Sequence, residues 1–186
     1  MRIITGSARG TKLETLEGEE ITRPTTERVK EGIFSAIQFE IEGRRVLDLF
    51  AGSGQLGLEA LSRGAESAVF TDSNDKAVAI IKQNALKTKL YPKTLIMCSG
   101  YKEYIKSAKG KVFDIVFIDP PYASEYLDDA VKRLAESGLL AVGATVICES
   151  DSEKIEFDES VYELKKVYRY GKTFVTMLVY KGAENE

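Results

Sequence analysis

An α/β fold built on a mostly parallel sheet is predicted by three features of the 186-residue sequence. From residue 45 onward, short apolar runs alternate with segments of helical periodicity, the rhythm of βαβ units whose crossover helices cover both faces of a sheet. The last two β-rich runs are joined only through Tyr170-Gly171-Lys172, too short for a crossover helix, so they must pair antiparallel. Composition agrees, because 44% hydrophobic and 30% charged residues with 15 glycines and 4 prolines describe an ordinary globular chain, one compact domain with at most a small extension.

Taken in order, residues 2 to 16 read as two short strands around Gly6-Ser7-Ala8-Arg9-Gly10, a small N-terminal β-hairpin with basic tips. After Arg23-Pro24-Thr25-Thr26, the residues Val29, Ile33, Phe34 and Ile37 recur at helical spacing and predict a helix over 26 to 39, with Thr25 or Thr26 as N-cap. Strands buried on both faces are predicted at Val46 to Phe50, Ala68 to Thr71, Thr94 to Cys98, Val112 to Ile118 and Ala144 to Cys148. Helices near 55 to 63, 74 to 88, 100 to 108 and 124 to 137 lie between them, and Val161 to Arg169 with Thr173 to Tyr180 form the antiparallel C-terminal hairpin. The expectation is a seven-stranded sheet with helices on both faces over residues 41 to 186, preceded by an N-terminal extension, residues 1 to 40. Five βα-type strands followed by an antiparallel pair is the element order of a Rossmann-like class I methyltransferase; a dinucleotide dehydrogenase core continues instead with a sixth parallel strand.

Histidine is absent, which excludes mechanisms that need an imidazole base, triad member or metal ligand. Cys98 and Cys148 stand far apart in apolar runs and read as buried free thiols, not as a zinc cluster, redox pair or disulfide framework, so no metal is expected. There is no apolar leader and no run long enough to span a bilayer, so a cytoplasmic protein without membrane contact is expected. The net charge of −3 conceals an asymmetry: residues 82 to 111 hold eight lysines against the single acid Glu103, whereas residues 123 to 160 hold ten acids and three bases. The first twelve residues add Arg2, Arg9 and Lys12, so two basic stretches suited to a polyanion sit on an acidic chain, although a lysine run also serves as a solvated helix face.

The segment from Asp48 through Phe50-Ala51-Gly52-Ser53-Gly54 to Gly57 follows the first buried strand, opens a helix and satisfies G-x-G-x-x-G. Glycines 52 and 54 let the backbone approach a nucleotide-like ligand, and Gly57 lets helix and strand pack closely. Twenty residues after Gly52, Asp72 ends the second strand, where a carboxylate can accept from ribose hydroxyls, with Ser73 beside it. The pair indicates an adenosine-type cofactor shared by nicotinamide and S-adenosylmethionine enzymes; Asp48 favours the methyl donor.

Asp119-Pro120-Pro121-Tyr122 follows the fourth strand, which lies beside the first across the switch point, so its end faces the same crevice as the glycine loop. An exocyclic amino group on a base is a poor nucleophile because its lone pair is delocalised into the ring. The Asp119 carboxylate and Pro120 carbonyl can each accept one of its N–H bonds and aim the lone pair at a methyl group, on a turn held rigid by two prolines. Tyr122 offers a stacking face, worth roughly 1 to 3 kcal/mol per base. An isolated Asp-Pro-Pro-Tyr is more simply a strand-ending turn; at the end of strand four, with the glycine loop and Asp72 in place, the catalytic reading is preferred.

These residues resemble the class I S-adenosylmethionine-dependent methyltransferases of the D/N-P-P-Y type. More narrowly, the chain resembles the bacterial RsmD-like family, which methylates guanine N(2) in 16S ribosomal RNA. The resemblance runs through Arg2-Ile3-Ile4, Arg9-Gly10-Thr11-Lys12-Leu13, Arg23 to Glu31, Val46 to Gly54, Leu56 to Ala65, Asn84, Asp119 to Tyr122 and Tyr170-Gly171-Lys172-Thr173. It implies that Asp119, Pro120, Pro121 and Tyr122 form the catalytic turn. It also implies that Phe50 to Gly54 hold the methionine and adenosine portions of the donor, that Asp72 holds the ribose, that the segment with Thr25 approaches the donor, and that the basic hairpin touches RNA. The family often carries Asp or Asn after strand three; Cys98-Ser99-Gly100 stands there instead, leaving Ser99 or a backbone carbonyl to meet the adenine.

The expected partner is thus 16S ribosomal RNA, within a small subunit or its assembly intermediate, met by a monomer. DNA adenine or a protein amide could be activated by the same turn, though only about forty residues precede the core, fewer than a DNA-recognition domain needs. A nicotinamide-dependent dehydrogenase and a non-catalytic RNA-binding module are the readings from other classes; the intact Asp-Pro-Pro-Tyr turn weighs against both.

Overall fold

In a computed structural model, residues 1–16, 27–121 and 124–182 of the protein are described. The expected cap at Thr25 or Thr26, and Tyr122, lie outside them. Helix α1 spans Glu27–Ala36, followed by β1 (Arg45–Asp48), α2 (Gln55–Ser62), β2 (Ser67–Asp72), α3 (Asp75–Lys87), a 3-10 turn (Tyr91–Lys93) and β3 (Thr94–Cys98). Then come α4 (Tyr101–Ser107), β4 (Phe113–Ile118), α5 (Ser124–Ser137), β5 (Leu140–Ser150), β6 (Tyr162–Tyr170) and β7 (Thr173–Tyr180).

The seven strands lie in the order β3-β2-β1-β4-β5-β7-β6. The first five are parallel, and β7 runs antiparallel between β5 and β6. The chain reverses direction across the sheet between β1 and β4, which opens a crevice at their carboxyl ends. Alternation along each strand splits the core in two. On β4, Ile115 and Phe117 join the cluster under α1, α2 and α3, whereas Val116 and Ile118 join the cluster under α4 and α5. The rings of Phe34 on α1 and Phe117 on β4 meet at 5.7 Å between centroids.

Three expectations need correction. The run Thr94 to Cys98 is not buried on both faces: β3 closes one edge of the sheet, Leu95 is 42% exposed, and Cys98 is exposed. Only Cys148, on β5 between two neighbours, is the buried thiol. The N-terminal strands reduce to a single antiparallel bridge, Arg2 with Lys12, because the amides of Ile4 and Thr5 turn away from the hairpin to the Glu59 carboxylate, at 2.8 and 3.0 Å. The first helix ends at Ala36, after which a turn keeps Ile37 buried and leaves Phe39 95% exposed.

Glu59 fastens this N-terminal segment to α2. Both its own side chain and that of Lys30 are fully buried and lie 3.6 Å apart; Arg63 Nε also donates to Glu59, at 2.8 Å, and Lys30 Nζ donates to the Arg2 carbonyl. Farther along, Asn84 on α3 is fully buried; its amide nitrogen donates to the carbonyls of Glu14 and Ser53, and its oxygen accepts from the Glu14 amide. One side chain thus ties residues 13–16 to the loop after β1. Among the described residues no helix is long and apolar enough to cross a membrane.

Candidate active site

The loop between β1 and α2 follows from its glycines. Gly54 caps α2 in the left-handed region, with φ of 79°, and a Cβ on Gly57 would overlap the Phe70 ring of β2, so helix and strand touch where a side chain would part them. Two carboxylates fix the loop. Asp48 accepts the Gly57 amide at 3.0 Å, and Asp72 accepts the Gly52 amide at 2.9 Å through one oxygen and the Asn74 amide at 2.8 Å through the other. A carboxylate has further lone pairs, so Asp72 remains able to accept from a ligand hydroxyl.

A cleft of about 1090 Å³ opens at these strand ends. It is lined after β1 by Asp48, Phe50, Ala51, Gly52 and Ser53, after β2 by Asp72 and Ser73, after β3 by Ser99 and Gly100, and after β4 by Asp119, Pro120 and Pro121. The structure therefore brings the separate sequence motifs to one crevice. Gly54 is not among the lining residues and supports the loop from beneath; Thr25 and Tyr122 are outside the described residues. In the turn after β4, Asp119 is half-buried, Pro120 buried and Pro121 exposed.

Burial pushes the Asp48 carboxyl up to about 7, the Gly57 amide opposes the shift, and the nearby charges of Asp119 and Asp72 add to it. Four acids line the cleft, Asp48, Asp72, Glu103 and Asp119, against the single basic side chain of Lys102, a balance that favours a cationic ligand and disfavours a pyrophosphate. At the β3 end, the Ser99 hydroxyl donates to the Gly100 carbonyl at 3.1 Å and keeps its lone pairs for a ligand donor. Glu103 also lines the cleft there, folded back over Gly100 into space that only a glycine leaves open.

Sequence reading gave residues 1–40 as a lid on the site and named Phe50, but two walls of the cleft hold residues it did not single out. One is the N-terminal segment, where Met1, Leu13, Thr15 and Leu16 border the cleft, and Ser53 Oγ lies 3.3 Å from Met1 Sδ. Its only sequence signal is that Leu13 continues the hairpin pattern. The other is aromatic: Phe50 and Tyr101 stand 5.1 Å apart and Tyr101 and Tyr126 6.1 Å apart, edge to face, with the Tyr101 hydroxyl donating to Asp129 at 2.7 Å. The positions of these tyrosines, directly after Gly100 and four residues beyond Tyr122, were the available clue.

The family model described as Conserved hypothetical protein 95 matches residues 1–179. The Bacillus subtilis (strain 168) protein YlbH is 36% identical over 186 residues, which cover 98% of this chain and 100% of that one. An Escherichia coli (strain K12) protein named Ribosomal RNA small subunit methyltransferase D is 37% identical over 153 residues, 82% of this chain and 76% of its own. The solved structure of Escherichia coli yhhF superposes with a TM-score of 0.89 at 31% identity, covering 98% of this chain and 99% of that one.

Proposed function

The chain belongs to the family described as Conserved hypothetical protein 95, and from that premise we propose that it is an S-adenosylmethionine-dependent RNA methyltransferase acting on the exocyclic N(2) amino group of a guanine in small-subunit (16S) ribosomal RNA. The observation that carries the reading is the meeting of the glycine loop, Asp72 and the Asp119-Pro120-Pro121 turn in one cleft. The name of the Escherichia coli relative supports ribosomal RNA as the substrate class.

The residues present fit the methyl donor. The cleft admits a nucleoside-sized ligand, its glycine loop lets backbone and ligand approach, and its carboxylates suit a sulfonium cation better than a dinucleotide pyrophosphate. Asp72 would hold the ribose, Phe50 to Ser53 the methionine side, and Ser99 with Gly100 the adenine. Bound there, S-adenosylmethionine supplies an electrophilic methyl group. Asp119 and the Pro120 carbonyl accept the two N–H bonds of the guanine amino group, which localises its lone pair and directs it along the line of attack. Pro120 and Pro121 hold that geometry without rearrangement, and Tyr122 stacks on the base. Residues 1–40 act as an extension that closes one side of the site and touches RNA.

The test is transfer of labelled methyl from S-adenosylmethionine to small ribosomal subunits lacking their guanine methyl marks, with the product nucleoside identified. N(2)-methylguanosine formed by the wild type and abolished by Asp119→Ala is the expected result. Label in another nucleoside, or equal label with the Ala variant, would sink the reading.

A further inference from the structure

Three buried side-chain oxygens among the described residues have no hydrogen-bond partner: Gln55 Oε1, Tyr104 Oη and Thr176 Oγ1. Only Gln55 lines the cleft. Burying an amide oxygen without a donor costs free energy, and such groups in a cleft are commonly completed by what binds there. Gln55 is 8% exposed, stands on the first turn of α2 immediately after Gly54, and is neither a helix cap nor part of the Asn84 network that holds the loop.

Strand order says which part of a ligand it meets. Along β3-β2-β1-β4 the cleft presents Ser99 and Gly100, then Asp72, then the loop leading into Gln55, then Asp119. With the ribose at Asp72, the nucleobase falls on the β3 side. The aliphatic chain attached to the other end of the ribose then runs over the β1 loop, toward the start of α2. Met1, which also lines the cleft, lies against Ser53 of that loop, 3.3 Å from its hydroxyl.

We propose that Gln55 is a binding residue for the amino-acid end of the methyl donor, its Oε1 accepting a hydrogen bond from the α-ammonium group. The assignment rests on the methyl-donor reading of the cleft and gives a side-chain role to a position that the G-x-G-x-x-G pattern leaves unspecified. A carboxamide offers an acceptor without adding another carboxylate to those of Asp48, Asp72, Glu103 and Asp119.

Two probes separate the ends of the ligand. S-adenosylhomocysteine carries the amino-acid chain; 5′-methylthioadenosine keeps the adenosine and sulfur and lacks that chain. In binding titrations on the full chain, Gln55→Leu is expected to weaken S-adenosylhomocysteine by about tenfold, the scale of one missing hydrogen bond to a charged group. Affinity for 5′-methylthioadenosine should stay within about twofold, which also reports that the cleft is folded. Gln55→Glu should hold S-adenosylhomocysteine nearly as well as the wild type, because a carboxylate accepts from an ammonium. Equal losses for both probes would mean packing, not recognition, and an unchanged S-adenosylhomocysteine affinity would mean that the two do not touch; either overturns the proposal. A loss in Gln55→Glu as deep as in Gln55→Leu would place the ligand carboxylate there and overturn the ammonium assignment. Failure of the wild type to bind either probe would remove the methyl-donor reading itself, an outcome distinct from all of these.

Discussion

Asp48 braces the loop and lines the cleft, and its surroundings pull its proton in opposite directions. Its oxygen accepts the Gly57 amide, which favours the carboxylate, but burial and the neighbouring acids outweigh that and bring the group up to about 7. The folded chain therefore retains a proton that the unfolded chain releases near its ordinary value of 3.8. By linkage, this contribution to stability is complete below the unfolded value and is lost as pH rises through the folded one. Asp48→Asn keeps an acceptor for Gly57 and has nothing to titrate. Between about pH 5 and about pH 8 the wild type should lose more in Tm than the Asn variant, by the amount this one group contributes. Parallel curves for the two proteins would show that Asp48 is ionised throughout. Spacing alone gives the expectation that Asp72 accepts from a ribose; the structure adds that it holds the Gly52 amide, so a variant there would disturb the loop whatever it does to a ligand.

At the scale of elements, the buried Lys30 and Glu59 pair joins α1, α2 and the first five residues. Buried ion pairs add little over an apolar replacement, but removing one partner leaves a desolvated charge. Glu59→Ala strands Lys30 and also the Ile4 and Thr5 amides, and should cost about 3 to 5 kcal/mol, or roughly ten degrees in Tm at this chain length. Thermal unfolding checks this, and a change within experimental scatter would mean that water replaces the carboxylate. The same contacts explain what the sequence left hidden. Apolar runs announced the strands and helical spacing the helices, because both patterns are local. Whether a strand lies at an edge is not local: Thr94 to Cys98 is as apolar as its neighbours, and only its place beside β2 alone exposes Leu95 and Cys98. The hairpin was half legible for a similar reason, since Glu59, more than fifty residues away, takes the amides that a ladder would have used. In the cleft, Asp48, Asp72 and Asp119 were legible because fixed offsets from strands carry them. Gln55 was not, because a glutamine at the start of a helix looks like an ordinary surface residue until its burial is known.

Across the whole molecule, the charge asymmetry of the sequence becomes an arrangement in space. The eight lysines between residues 82 and 111 are all exposed. They lie on α3, the 3-10 turn, α4 and the segment before β4, the elements that surround the β3 edge. The acid-rich stretch covers α5 and the segment between β5 and β6, beyond β1 and β4 from that edge. A polyanion would thus be attracted to one side and repelled from the other, and on the proposed function this would orient RNA before any base is bound. Not every lysine is equally available, since Lys87 pairs with Glu14 at 2.8 Å and Lys102 with Asp129 at 3.6 Å. Lys82, Lys89 and Lys93 are therefore the informative set to reverse. Converting all three to Glu should weaken RNA binding most at low salt and flatten the dependence of log affinity on log salt, by about 0.7 to 0.9 for each phosphate that is no longer neutralised. None of the three lines the cleft, so affinity for S-adenosylhomocysteine should not change. Titrations with small-subunit RNA between about 50 and about 200 mM salt measure the slope. An unaltered slope would make the lysine edge a solubility feature and leave the basic N-terminal segment to neutralise the phosphates, whereas a flattened slope with intact cofactor binding would separate the surface that captures RNA from the cleft that would modify it.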